Sequence, residues 1–328
     1  MTSRERFRET MRYGRPDRVP YFEEGIRDEV LDVWRRQGMP SDTDLSHMFP
    51  FDRWEEIEVD LGPRPAFRRW PTLRSQLDTW RRRLDPYDPR RLPQGWRECV
   101  RAWQGRDHVL MLRVHDGFFL TMGVGDWARF AEVIYLLKDD PQFVREVMAM
   151  RGEFAARLAE CVLREVEVDA VIFSEPIGGN DRPLLSPRMY EEFVLSSYEP
   201  LLEVLRQYRV EIIILRTYAN ARVLLPSVLR WGFNCLWACE VNTQAMDYRD
   251  LRREFGRDLR LIGGIDLDAL RYGQEAVRRE IAEKVPPLLA DGGYVPLADG
   301  RVREDVPFEN YVYYRQLLQE ATSMSTYR

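Results

Sequence analysis

From Pro141 onward, short uninterrupted apolar runs alternate with helical patterns, and this alternation limits the fold more than any other feature. Phe143, Val147, Phe154, Leu158 and Val162 recur at helical spacing through Pro141–Glu167, and Val168–Ser174 follows as a strand. Ser186 and Pro187 open the next helix as N-cap and first-turn proline, and Pro200 is expected to kink or break it. Strand Val210–Leu215 precedes helix Ala221–Trp231, which Gly232 closes. Strand Cys235–Cys239 precedes helix Tyr248–Phe255, closed by Gly256. Leu259–Ile265, Asp268–Ala290, Tyr294–Ala298 and Phe308–Ala321 complete the series as strand, helix, strand and helix. The strands are apolar throughout rather than alternating, as parallel strands covered on both faces must be.

Right-handed crossovers allow such units to form an open sheet or a closed barrel. No Gly-x-Gly-x-x-Gly follows a first strand, and the number of units is high, so a single (β/α)₈ barrel is expected over residues 1–328. Its length suits one such domain, and 45% hydrophobic residues supply a large core. The N-terminal half is less regular. Arg18–Gly25 is predicted as a first strand and Val109–His115 as a third, with an aromatic, Pro- and Arg-rich elaboration, Leu61–Trp103, over the barrel mouth.

Acidic residues number 54 against 49 basic ones, a net charge of −5 with no basic block, which speaks against binding a nucleic-acid backbone. All but two of the basic residues, Lys138 and Lys284, are arginines. The four cysteines lack Cys-x-x-Cys spacing and are expected to be reduced, in a cytoplasmic setting. No apolar run reaches the roughly 18–20 residues of a membrane span.

Several segments carry a family likeness. They are Ser3–Pro20, Phe51-Asp52-Arg53, the stretch Leu185–Phe193 with its Leu-Ser-Pro opening, Leu261–Asp266, and Val306–Tyr311. In order and spacing, the chain resembles the uroporphyrinogen decarboxylase superfamily. That resemblance implies a (β/α)₈ barrel and two kinds of activity. One is decarboxylation of uroporphyrinogen; the other is zinc-dependent methyl transfer with corrinoid proteins or thiols. The chain departs from both patterns. Where decarboxylases carry an Arg-Gln-Ala-Gly-Arg loop, it reads Phe22-Glu23-Glu24-Gly25-Ile26-Arg27, and their late histidine falls near Gly300. Where the methyltransferases have His-x-Cys, it has Arg216 and Tyr218, followed by Asn220, and no cysteine follows Cys239.

In a barrel of this class the reacting groups come from the C-terminal ends of the strands. Those ends carry Glu23, Glu24 and Arg27, then His115 and Asp116, Glu175, Arg216, Tyr218 and Asn220, Glu240, Asp266, and finally Asp299 and Arg301. His115, Asp116, Glu175 and Glu240 are the candidate catalytic groups. Glu24, Arg27, Arg216, Tyr218, Asn220, Asp266, Asp299 and Arg301 are candidate substrate contacts. His115 is either a hydrogen-bonded scaffold histidine or a catalytic one. With Glu175 and Glu240 it also makes a candidate oxygen- and nitrogen-rich site for a divalent metal such as zinc. Asp266 caps the next helix or serves the site, and Arg216 holds an anion or pairs with Glu240 or Asp299.

The first expectation is therefore a methyltransferase-like enzyme moving a methyl group between a small substrate and a corrinoid protein, thiol or folate carrier. The alternatives are a decarboxylase or lyase acting on a tetrapyrrole or small carboxylic acid, and a non-catalytic ligand-binding barrel. Trp70, Trp80 and Trp96 are candidates for a lid or a homodimer face.

Overall fold

The structure is a computed structural model that describes residues 1–239 and 246–324. Seven strands are present among them: β1 (Trp54–Glu58), β2 (Val109–His115), β3 (Ala170–Glu175), β4 (Ile213–Tyr218), β5 (Cys235–Cys239), β6 (Arg260–Ile265) and β7 (Tyr294–Ala298). The chain falls into two compact units. One contains Met1–Trp54, Asp107–Val109 and Asn234–Arg328; the other contains Glu55–Arg106 and Leu110–Phe233.

In the second unit β1, β2, β3 and β4 neighbour one another in chain order. β2 pairs with β3 and β3 with β4, both parallel, with His115 opposite Phe173 and Glu175 opposite Thr217. Val171, Ile172 and Phe173 are fully buried, as the unbroken apolar run requires. The 23-residue helix Pro141–Leu163 connects β2 to β3 through its C-terminal end, capped at its start by Asp140. The predicted break near Pro200 falls slightly earlier. A 3₁₀ turn, Leu195–Tyr198, separates helix Pro187–Phe193 from helix Glu199–Gln207, where Pro200 occupies the first turn.

The segment expected to elaborate the barrel mouth forms short helices at Leu77–Arg81 and Trp96–Trp103. Trp80 is wholly buried there, its ring 4.9 Å from Phe67 and 5.3 Å from Trp70, so it belongs to a core rather than to an exposed face. Trp96 packs on Trp103 and donates its indole N–H to Glu165 at 3.0 Å.

In the first unit β5, β6 and β7 are likewise parallel and in chain order. Cys235 and Cys239 are buried in β5. The predicted strand Arg18–Gly25 does not form. Pro20 offers no N–H, Gly25 turns at φ +102°, and the Tyr21 N–H goes to the Asp52 carboxylate at 2.8 Å instead of a neighbouring strand. A single parallel bridge, Ile26 to Val302, marks that segment's end.

Asp52 also pairs with Arg6 and with Arg18, the latter at 2.5 Å, so it ties the two N-terminal family-like segments together. Burial pushes its carboxyl up, but hydrogen bonds from Arg18 and Tyr21 and the nearby guanidinium charges outweigh that and hold it below the usual range. The described residues thus form an α/β fold of parallel strands with seven strands, one fewer than the eight expected. No described helix is long and apolar enough to cross a membrane.

Candidate active site

Within the Leu110–Phe233 segment, the ends of β2 and β3 bring three of the predicted groups together. Glu175, the last residue of β3, is 0% exposed. Its Oε1 accepts the Phe118 backbone N–H at 2.8 Å, and its Oε2 accepts the hydroxyls of Tyr198 at 2.7 Å and Tyr190 at 3.2 Å. Burial lifts this carboxyl to about 7, against the lowering effect of those three donors. A side chain so enclosed and so fully partnered acts first as an anchor. It holds the turn that follows β2 and ties it to the segment containing Tyr190 and Tyr198.

That turn is Asp116-Gly117-Phe118. Gly117 has φ +76°, and a Cβ there would come within 2.5 Å of Glu175 Oε1 and 2.7 Å of the Ser174 carbonyl. Only glycine fits both the backbone conformation and the space. The Gly117 N–H donates to Nδ1 of His115 at 2.9 Å, which leaves Nδ1 as the unprotonated nitrogen and puts the neutral ring's proton on Nε2. His115 is 2% exposed, with its ring 4.6 Å from that of Tyr198 and stacked over Phe173. Burial, together with the Arg151 charge, lowers it to about 3, so it stays neutral through the physiological range.

Asp116 is the member of this group that reaches solvent, with 26% of its side chain exposed and Arg113 Nη1 3.7 Å away. Burial raises its carboxyl, opposed by the Arg113 and Arg151 charges. Arg113 also lies 3.5 Å from Glu56, and Glu56 takes both ends of the Arg216 fork, at 2.7 and 3.1 Å. Arg216 therefore spends its fork on a carboxylate of its own chain. Glu56 is thus a partner that the sequence did not name. Tyr218 is exposed at the end of β4. Asn220 builds a turn, donating to the Asp181 carbonyl at 2.9 Å and accepting the Arg222 N–H at 3.0 Å.

The other predicted residues belong to the first unit. Glu24 accepts the Trp237 indole N–H at 2.8 Å and the Cys239 thiol at 3.3 Å. Glu23 accepts the Tyr311 hydroxyl at 2.9 Å and lies 3.7 Å from Arg315, and burial raises its carboxyl against both of those neighbours. Asp266 has the capping role, accepting the Asp268 N–H at 2.8 Å. Asp299 is buried and accepts the Leu267 N–H at 3.1 Å. Arg27 is exposed and sits 3.6 Å from Glu29, and Arg301 is exposed. Neither has the enclosure a carboxylate clamp needs. Glu240 lies outside the described residues.

The resemblance to zinc methyltransferases raises the question of a metal. Arg216 and Tyr218 stand where those enzymes have ligands, and Arg216 is already engaged by Glu56. His115 has given Nδ1 to the Gly117 N–H, and both Glu175 oxygens are occupied by donors. Among the described residues no group of three or more His, Cys, Asp and Glu is placed to hold a metal ion. The described side chains do not fit zinc.

A family model for uroporphyrinogen decarboxylase (URO-D) matches residues 121–299, more than half of the 328 residues. The chain belongs to the uroporphyrinogen decarboxylase superfamily, whose members are generally enzymes. No curated protein matches it. The matched span includes Glu175, Tyr190, Tyr198 and Arg216, whereas His115 and Asp116 lie just before it. Sequence reading missed Tyr198, Glu56, Arg113 and Arg151. Their spacing from the predicted groups carries no signal, because pairs such as Glu56 and Arg216 meet only through strand pairing.

Proposed function

We propose that the protein is an acid–base enzyme of the decarboxylase or lyase type, acting on a small carboxylic acid, with Asp116 as the group that exchanges the proton. The carrying observation is the Asp116 carboxyl, raised by burial yet still partly open to solvent at the end of β2. A carboxyl whose ionisation is shifted upward is better matched to general-acid work than an unshifted one. Glu175 and Gly117 are positioning residues that fix the turn carrying Asp116. Methyl transfer, the first expectation from sequence, draws less support, since it calls on a metal that the described side chains do not fit.

The test is to incubate the purified chain in D₂O with uroporphyrinogen and a panel of small carboxylic acids. The reading expects CO₂ release and deuterium at the product carbon, both lost in Asp116→Asn. If neither appears with any substrate, or if label instead moves from methylcobalamin, the reading is wrong.

A further inference from the structure

Each of the three nitrogens of one guanidinium faces a different carboxylate. Arg113 lies on β2, next to β1 in the sheet. Its Nε is 3.5 Å from Oε1 of Glu56, its Nη2 3.5 Å from Oε2 of Glu58, and its Nη1 3.7 Å from Oδ1 of Asp116. All three separations exceed the roughly 2.7–3.2 Å of an N–H···O hydrogen bond, and Nε is buried without a hydrogen-bond partner. One cation is held between three acids with no close bond to any of them. A group so placed moves toward whichever acid its other neighbours satisfy least.

The three acids are unequal competitors. The Glu58 side chain is 67% exposed, so water screens its pull. That of Glu56 is only 10% exposed, and its Oε1 faces Arg113 while also accepting from Nη2 of Arg216 at 3.1 Å. Arg216 comes from β4, two strands beyond β2, so this carboxylate links it to the arginine beside Asp116. While Arg216 holds Oε1, less of Glu56 is left to draw Arg113 away from Asp116. The other charges that reach Asp116 are Arg151, from helix Pro141–Leu163, and Asp60. His115 and Tyr198 are neutral neighbours, and Glu175 spends its oxygens on Phe118, Tyr190 and Tyr198.

We propose that Arg113 is a positioning residue for Asp116, and that the Arg216–Glu56 pair sets, through it, how firmly the Asp116 carboxylate is held. A guanidinium drawn to Asp116 favours its charged form; drawn to Glu56, it leaves burial to favour the neutral form. This rests on the acid–base reading for its bearing on turnover, whereas the coupling between Arg216 and Asp116 is read by titration alone.

The experiment is carbon-13 NMR titration of the Asp116 carboxyl in the full chain, with Asp116→Asn to assign the signal. Arg113→Gln should raise the midpoint by about one unit or more, since it removes a cation 3.7 Å away. Arg113→Lys, which keeps the charge, should move it less. Arg216→Gln frees Oε1 of Glu56 to draw Arg113 off and should raise the midpoint as well. Glu56→Gln returns Arg113 to Asp116 and should lower it. Charges acting through space give those last two signs too, so the decisive step repeats both changes in Arg113→Gln. There each should lose more than about half of its effect. The coupling is refuted if Arg113→Gln leaves the midpoint where it was, or if the Glu56 and Arg216 effects persist in full without Arg113. Glu56→Gln carries the test alone should Arg216→Gln fail to fold. The expected shifts in a chain that turns over no acid would remove the acid–base reading and leave the coupling standing; turnover without the shifts would do the reverse.

Discussion

The Tyr198 hydroxyl donates a 2.7 Å hydrogen bond to Oε2 of Glu175 while its ring packs 4.6 Å from the imidazole of His115. One phenol thus touches both the anchor of the Asp116 turn and the histidine that precedes it. Removing that hydroxyl takes away a donor that favours the charged carboxylate. Tyr198→Phe should therefore move the Glu175 ionisation above its value of about 7, by about one unit or more. Infrared difference spectra, with Glu175→Gln to identify the band, would follow it.

Glu175 should also shape how stability depends on pH. Its folded value of about 7 lies above the ordinary 4.5, so the folded state holds the proton longer than the unfolded chain. Its contribution is fully present below about 4.5 and is lost as pH rises through about 7. Relative to Glu175→Gln, the wild type should lose up to about 3 kcal/mol of stability across that window. Chemical denaturation at a series of pH values measures the difference. A wild type that gains on the variant over the same range would show that the carboxyl is not raised.

Gly117 should tolerate no side chain. At φ +76°, with a Cβ forced to 2.5 Å from Glu175 Oε1, Gly117→Ala should destabilise the protein by about 1–3 kcal/mol and impair turnover beyond what its stability loss explains. Denaturation and assays well below the melting midpoint separate the two effects.

Arg216 and Glu56 form a two-point ion pair that is largely shielded from solvent. Arg216→Ala should cost about 3 kcal/mol, since it strands a buried carboxylate whose other ion-pair partner among the described residues is Arg113, at 3.5 Å. The double variant with Glu56→Ala should recover part of that loss, and a double-mutant cycle by urea unfolding reads the coupling.

Strands were legible where burial on both faces writes an unbroken apolar run. β2, β5 and β7 fall where the sequence puts them, and β3, β4 and β6 within a few residues. β1 was not legible. Trp-Glu-Glu-Ile-Glu has no apolar run, because Glu56 turns toward Arg113 and Arg216, and Ile57 is the only one of its side chains to be fully buried. Arg18–Gly25 read as a strand from its composition, and lost that character to Pro20, Gly25 and the pull of Asp52 on Tyr21. Strand-end logic found His115, Asp116 and Glu175, whose closeness follows from adjacent parallel strands. For Arg216 and Asp266 it left a substrate contact and a structural role open; Arg216 pairs with Glu56 and Asp266 caps a helix turn. Arg151 was invisible because helix periodicity marks it only as one more position on a long amphipathic helix.

The proposed function needs an Asp116 carboxyl that its surroundings raise and that can exchange a proton. Carbon-13 NMR titration of the side-chain carboxyls, with Asp116→Asn to assign the signal, measures this directly. The Asp116 midpoint should lie above the ordinary 3.8. A midpoint at or below 3.8 would mean that the Arg113 and Arg151 charges outweigh burial, and would contradict the proposed role of Asp116.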